Sequence, residues 1–341
     1  MNSLFPHLAT YVHHLDPVIF DIPPIDILGV HIHLALRWYG LAYVAGFVLG
    51  YLVLLRLSRR RLYCIAPEKL GDFITWVCML GVLGGARLGE FFFYWLPRAG
   101  WSGFCADPLW VFRVWEGGMA SHGGIIAVLL VAMVYARRNG LSIAAVCDGL
   151  AIVCPIGLFF GRVANFINGE LYGRVADAAN PIAMKFPQEI LELPPVLPPA
   201  QLRECFKSAQ NAYGGDIVSL QQCVDLCRTN EAVRNAMEPF LTPRYPSQLF
   251  EAAGEGLLIF LVLFLLRLRW KSAPAGTFSC LFCFLYAAAR ITTECYREPE
   301  TANLFGVITR GQYLSFGVIL LGVVFFFIAR RHAKLQKIQK I

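Results

Sequence analysis

The chain has 341 residues, of which 57% are hydrophobic and only 16% charged, and its mean hydropathy is +0.55. So little polar surface cannot enclose a water-facing core. The composition excludes disordered, collagenous and disulfide-rich secreted chains and leaves an integral membrane protein. The formal charge of +7 gathers beside apolar runs, the placement of orientation signals and not of a nucleic-acid surface.

In chain order, Met1 to Pro24 lacks the basic start and apolar run of a cleavable signal, so the first apolar span is expected to remain as an anchor. Apolar segments then run roughly over 38–57, 73–96, 119–136, 143–161, 249–266, 276–296 and 313–329, close to the length that crosses a bilayer. The expected fold is an all-α polytopic membrane protein with seven transmembrane helices, a single membrane-embedded domain over 1–341. Arg56, Arg59, Arg60 and Arg61 follow the first span, Arg137 and Arg138 the third, and Arg267, Arg269 and Lys271 the fifth. Arg330, Arg331, Lys334, Lys337 and Lys340 follow the last. If every segment crosses, these clusters share one side, which puts the C-terminus in the cytoplasm and the N-terminus outside.

The region 162–248 is then a long extracytoplasmic loop holding an accessory insertion at about 190–241. Glu189 to Pro199 is proline-rich and is expected to be an extended or irregular connector. Two short amphipathic helices are expected around Gly214 and Gly215, over 201–213 and 219–237. The eleven cysteines include no pair of Cys-x-x-Cys clusters, which argues against a structural zinc site. Cys205, Cys223 and Cys227 permit one external disulfide, in several pairings, or three buried thiols.

An ionised side chain at membrane depth is costly unless it faces a polar interior, so each marks a candidate site. Arg87 and Glu90 are three apart and can share a helix face as an ion pair. In the sixth span Tyr286, Arg290 and Glu294 recur at i, i+4 and i+8, one slowly rotating stripe. There Arg290 offers donors to a phosphate, Glu294 can fix its direction and Tyr286 can hold an ester or hydroxyl. Gln248, Glu251 and Glu255 approach an i, i+3, i+7 pattern and can support such a cleft. His122 lies among glycines that permit close backbone approach. It reads either as a hydrogen-bonded structural histidine or as a proton acceptor. The densest constellation is GRVANFINGELYGR at 161–174, in which Arg162, Asn165 and Asn168 are spaced by three and precede Glu170, Tyr172 and Gly173. Its donors suit a lipid phosphate and equally a polar interhelical network. Neither a P-loop nor a serine hydrolase elbow is present, and no pattern calls for a metal or organic cofactor.

In this order, HLALRWYGLAY, LGGARLGE, VFRVWEGGMASHGG, GRVANFINGELYGR, YPSQLFEAAGEG and YAAARITTECYREPE resemble the bacterial prolipoprotein diacylglyceryl transferase family, over roughly 17–189 and 242–330. The resemblance implies a plasma-membrane enzyme (inner membrane in a Gram-negative cell), with phosphatidylglycerol and lipobox-containing preprolipoproteins as its partners. The expected reaction moves the sn-1,2-diacylglyceryl group to the lipobox cysteine, forms a thioether, releases sn-glycerol 1-phosphate and begins lipoprotein maturation. By motif, the resemblance makes His122, Arg162 and Arg290 catalytic. It gives Tyr39, Asn165, Glu170, Gly173, Tyr286 and Glu294 to binding or orienting the donor lipid. The family commonly has serine and phenylalanine before its histidine, where this chain has Ala120 and Ser121. The competing reading is a transporter that selects an anionic solute through helices broken near Gly117 and Gly123.

Overall fold

The computed structural model describes residues 10–27, 30–113, 118–192, 196–298 and 309–338. Gly117 and residues 193–195 of the proline-rich connector lie outside the described residues. The helices are α1 (Trp38–Arg59), α2 (Pro67–Ala106), α3 (Ser121–Arg138), α4 (Ile143–Asn168), α5 (Pro199–Tyr213), α6 (Leu220–Thr229), α7 (Glu231–Met237), α8 (Ser247–Arg269), α9 (Thr277–Thr293) and α10 (Arg310–Ile338). Among the described residues, α1, α2, α4, α8 and α10 are long and apolar enough to cross a membrane by length and composition. Two of the seven expected spans fall outside this group. The 18 residues of α3 include Ser121 and His122 at one end and Arg137 and Arg138 at the other, while α9 has 17 residues, Arg290 among them.

By contact the chain divides into two compact units, one made of Met1–Ala45, Gly157–Ile259 and Leu285–Val318, the other of Gly46–Ile156, Phe260–Phe284 and Ile319–Ile341. The first contains two small sheets that an all-helical expectation omits. Strands β2 (Val18–Ile27) and β3 (Val30–Arg37) pair antiparallel, and the register slips between Ile22 and Ile25. Pro23 and Pro24 stand at that slip and have no N–H to give a ladder. The alternation of Val30, Ile32, Leu34 and Leu36 with more polar residues is the period-2 signal in the sequence. Strands β1 (Tyr11–Val12), β4 (Met184–Lys185) and β5 (Pro243–Arg244) form the other sheet, in the order β1-β4-β5.

The insertion folds as three helices, not two. Asn230 divides the second expected helix: it ends α6, and its side chain accepts a hydrogen bond from the N–H of Val233 to cap α7. Gly214, at φ +70°, closes α5 in the left-handed conformation. Cys205, Cys223 and Cys227 join Val12, Ile190, Val233 and Met237 in one hydrophobic core, as free thiols. Burial pushes Cys205 up to about 12 and Cys223 and Cys227 up to about 11, which suppresses their reactive thiolates.

His13 ties β1 to the end of α4. Its ring is 3% exposed, stacked on Phe186 and edge-on to Phe166, and burial lowers its pKa to about 4. An unfolded histidine takes up its proton near pH 6.5, so stability is full above that value and declines as pH falls towards about 4. Thermal unfolding of purified protein is expected to show this loss between those two values, and His13→Phe is expected to flatten it. An unchanged profile in the variant would assign the acid sensitivity elsewhere.

In the second unit α2 and α3 meet on glycines. A Cβ on Gly89 would stand 2.6 Å from Gly123 Cα, and one on Gly85 would meet Ala127 and the carbonyl of Gly123. Small residues four apart allow this approach of two backbones. Asp148 of α4 accepts from the N–H groups of Gly276 and Ser279 and from Ser279 Oγ, each at 2.8 Å, and so satisfies donors at the start of α9.

Candidate active site

The first unit concentrates charge where α4, α8 and α9 supply side chains to one network. Glu251 and Glu255, one turn apart on α8, are fully buried. Arg162 of α4 binds Glu251 at 2.8 Å through Nε, and its Nη2 lies 3.6 Å from Glu255. Arg290 of α9 reaches the same two carboxylates at 3.2 and 3.3 Å and turns its other nitrogen to Glu294 at 2.8 Å. Thr293 donates to Glu255 at 2.9 Å, and Arg297 donates twice to Glu251. Three guanidiniums thus face three carboxylates, the pairing that burial of charge demands. The arginine side chains differ in access. Arg162 is 18% and Arg290 12% exposed, against 7% for Arg297, so the first two are the better placed to meet a ligand. Gly256 lets α8 press on α4, since a Cβ there would come within 2.6 Å of Phe159. Glu255 sits in a π-helical stretch, Ala252–Leu258, a local widening frequent at functional sites.

A second network lies on the same α4 segment. Asn165 donates to Tyr39 Oη at 3.3 Å and to Glu170 at 2.8 Å, and Asn168 donates to Glu170 at 3.3 Å. Past α4 the chain turns through Gly169 at φ +72° and Leu171 at φ +55°, a left-handed conformation that a leucine adopts only when its surroundings enforce it. Gln248 donates to the carbonyl of Glu170 and Ser247 to that of Leu171. Gly173 follows at a backbone junction: its N–H donates to Tyr245, its carbonyl accepts from Arg244, and a Cβ would run into the carbonyls of Tyr245 and Tyr296.

In the second unit, His122 stands on the first turn of α3, half-buried, beside the Gly89–Gly123 contact. Arg87, 3% exposed, organises the chain that leads to it. Its guanidinium donates to the carbonyls of Trp110, Val111, Arg113 and Gly118 at 2.7 to 3.1 Å and lies 3.9 Å over the Trp110 ring. Ala120 donates to the carbonyl of Ala86. Arg87→Ala is expected to take a donor from four part-buried carbonyls, at up to about 1–3 kcal/mol each, and to open residues 107–113 to protease. Lysine is expected to rescue poorly, because three donors on one nitrogen cannot span that arc. Equal protease resistance in the alanine variant would contradict this role.

A family model described as prolipoprotein diacylglyceryl transferase matches residues 27–328. The chain belongs to the prolipoprotein diacylglyceryl transferase family. A Bdellovibrio bacteriovorus protein named phosphatidylglycerol–prolipoprotein diacylglyceryl transferase is 38% identical, covering 88% of this chain and 91% of its own length. Proteins of the same name from Escherichia coli and Citrobacter koseri are each 36% identical, covering 97% of this chain and 99% of their own length. The matched region runs through the insertion that the motifs alone do not reach.

For this diacylglyceryl transferase family member, the structure brings Arg162, Arg290 and Glu294 into one network and Tyr39, Asn165 and Glu170 into another. Tyr286 lies one turn before Arg290 on α9. Gly173 is placed by backbone contacts, and His122 belongs to the other unit. Gly123 lies within α3, packed on Gly89, and does not break the helix as the transporter reading expected. Sequence reasoning missed Arg297 and the buried Arg244–Glu189 pair, 3.0 Å apart. The arginine in YREPE was visible but lay beyond the stripe, and Glu189 is separated from Arg244 by the insertion.

Proposed function

We propose that this chain transfers the sn-1,2-diacylglyceryl group of phosphatidylglycerol to the lipobox cysteine of preprolipoproteins, the first step of bacterial lipoprotein maturation. Family membership supports this reaction, and the observation that supports its site is the convergence of Arg162 and Arg290 on the same buried carboxylates. The thiol sulfur attacks the glyceryl carbon that carries the phosphate ester, a C–S bond forms, the C–O bond breaks, and the electron pair leaves on sn-glycerol 1-phosphate. Charge grows on that leaving phosphate, where fixed donors stabilise the transition state most. Glu251 and Glu255 hold the two guanidiniums extended before the donor lipid arrives, so little reorganisation remains at the moment of reaction. Tyr39, Asn165 and Glu170 orient the donor, Tyr286 contributes a hydroxyl beside Arg290, and Gly173 shapes the turn below them. His122 takes the thiol proton, because a thiol near pKa 8.5 is mostly protonated at neutral pH.

In this reading α3 and α9 complete seven crossings in the bacterial plasma membrane, with the N-terminus and the insertion outside and the basic C-terminus in the cytoplasm. The insertion core, which includes no member of the arginine network, is accessory to the chemistry. Purified protein, phosphatidylglycerol and a lipobox peptide, followed by mass spectrometry, test the proposal. Equal amounts of diacylglyceryl peptide and glycerol phosphate are expected, and consumption of lipid without a thioether product would overturn it.

A further inference from the structure

The last helix begins on a capping box. Thr309 Oγ1 accepts from the N–H of Gln312, and Gln312 Oε1 accepts from the N–H of Thr309, both at 3.2 Å. This reciprocal pair fixes where the first turn of α10 lies. Gly311 is inside that turn and faces Glu294: a Cβ there would stand 2.6 Å from Glu294 Cδ and 2.7 Å from Oε1, and closer still to Oε2. Glu294 is 4% exposed and bonds Arg290 at 2.8 Å. A carboxylate at the start of a helix is electrostatically well placed, and here the helix approaches it to within the space of a missing methyl group.

We infer that Gly311 is a positioning residue for transfer: its bare Cα lets α10 seat the Glu294 carboxylate against Arg290. The inference rests on the proposed role of Arg290. A methyl group at 311 meets the movable end of a side chain, not backbone, so the strain is relieved by swinging Glu294 away from the guanidinium. The fold survives and the aim of Arg290 does not. General helix propensity points the other way, since alanine is the better helix former, so a merely structural glycine predicts an alanine variant at least as stable and fully active.

Gly311→Ala, Glu294→Asp and the double variant, assayed for transfer in detergent together with thermal unfolding, separate these possibilities. Gly311→Ala is expected to lower transfer about 10-fold to 100-fold and, because it loosens the buried Arg290–Glu294 pair without removing either charge, to lower the unfolding temperature less than Arg290→Ala does. Aspartate withdraws the carboxylate by one methylene and makes room for the methyl group. Gly311→Ala/Glu294→Asp is therefore expected to exceed the product of the single effects by about fivefold or more. Full activity in Gly311→Ala, or singles whose effects simply multiply, would overturn the inference. If Gly311→Ala is not recovered folded, the same comparison is made on yield. Gly311→Ala must then be better tolerated together with Glu294→Asp than in the otherwise unchanged chain, and equal tolerance refutes the coupling. Arg290→Ala, run in parallel, separates the two readings: full transfer there removes the proposed role of Arg290, whereas its loss alongside an active Gly311→Ala removes only the role of Gly311.

Discussion

Arg290→Ala is expected to lower diacylglyceryl transfer by about 10²–10³-fold, the cost of removing one fixed donor from a developing oxyanion. Arg162→Ala is expected to do the same from its own helix. Each change also leaves Glu251 and Glu255 short of a partner, and breaking a buried pair costs about 3–5 kcal/mol of stability. Loss of activity alone would therefore not separate chemistry from folding. Adding Glu255→Gln removes one of the stranded charges, so Arg290→Ala/Glu255→Gln is expected to recover much of the unfolding temperature and none of the turnover. If turnover returns together with stability, the arginine serves the fold and not the phosphate. Arg290→Lys is expected to fall between, because a single ammonium cannot serve Glu251, Glu255 and Glu294 and also present a fork to the donor.

His122→Gln is expected to reduce transfer by about 10²–10⁴-fold, the range for loss of a general base, with a smaller loss of phosphatidylglycerol affinity. Glutamine keeps much of the size and some hydrogen bonding, so a histidine that only secures the start of α3 tolerates the exchange. Raising the pH is expected to recover much of the rate of the glutamine variant, because the peptide thiol then ionises without a base. A glutamine variant that keeps the wild-type rate would assign the base to another group, and the roles of Arg162 and Arg290 would stand.

What the sequence displayed and what it hid follow from the range of the interactions. Tyr286 and Arg290 are local: one helix sets their spacing, and Glu294 follows directly on its end, so a stripe of polar residues in an apolar run announces itself. Arg162 and Asn165 were legible for the same reason, and Glu170 lies just past the end of α4. Partners drawn from distant segments were not. Nothing in the sequence ties Glu251 of α8 to Arg162 of α4, or Gly311 of α10 to Glu294, because each pairing depends on how helices pack. Arg87 shows the limit of local reasoning, since its neighbour Glu90 suggested an ion pair, whereas the fold directs its guanidinium to carbonyls 23 to 31 residues away. The β2–β3 hairpin was overlooked because its alternation is short and interrupted by Pro23 and Pro24, and the split at Asn230 because one cap residue divides an otherwise continuous amphipathic pattern.

Arg162 and Arg290 are proposed to stabilise charge on the departing glycerol phosphate. The most direct test measures the rate ratio of wild type to Arg290→Ala, and to Arg162→Ala, across donor lipids whose phosphate is a progressively better leaving group. If the guanidiniums bear that charge, the ratio is expected to shrink steadily as the leaving group improves, because a better leaving group needs less help. A ratio that stays constant across the series would contradict the account.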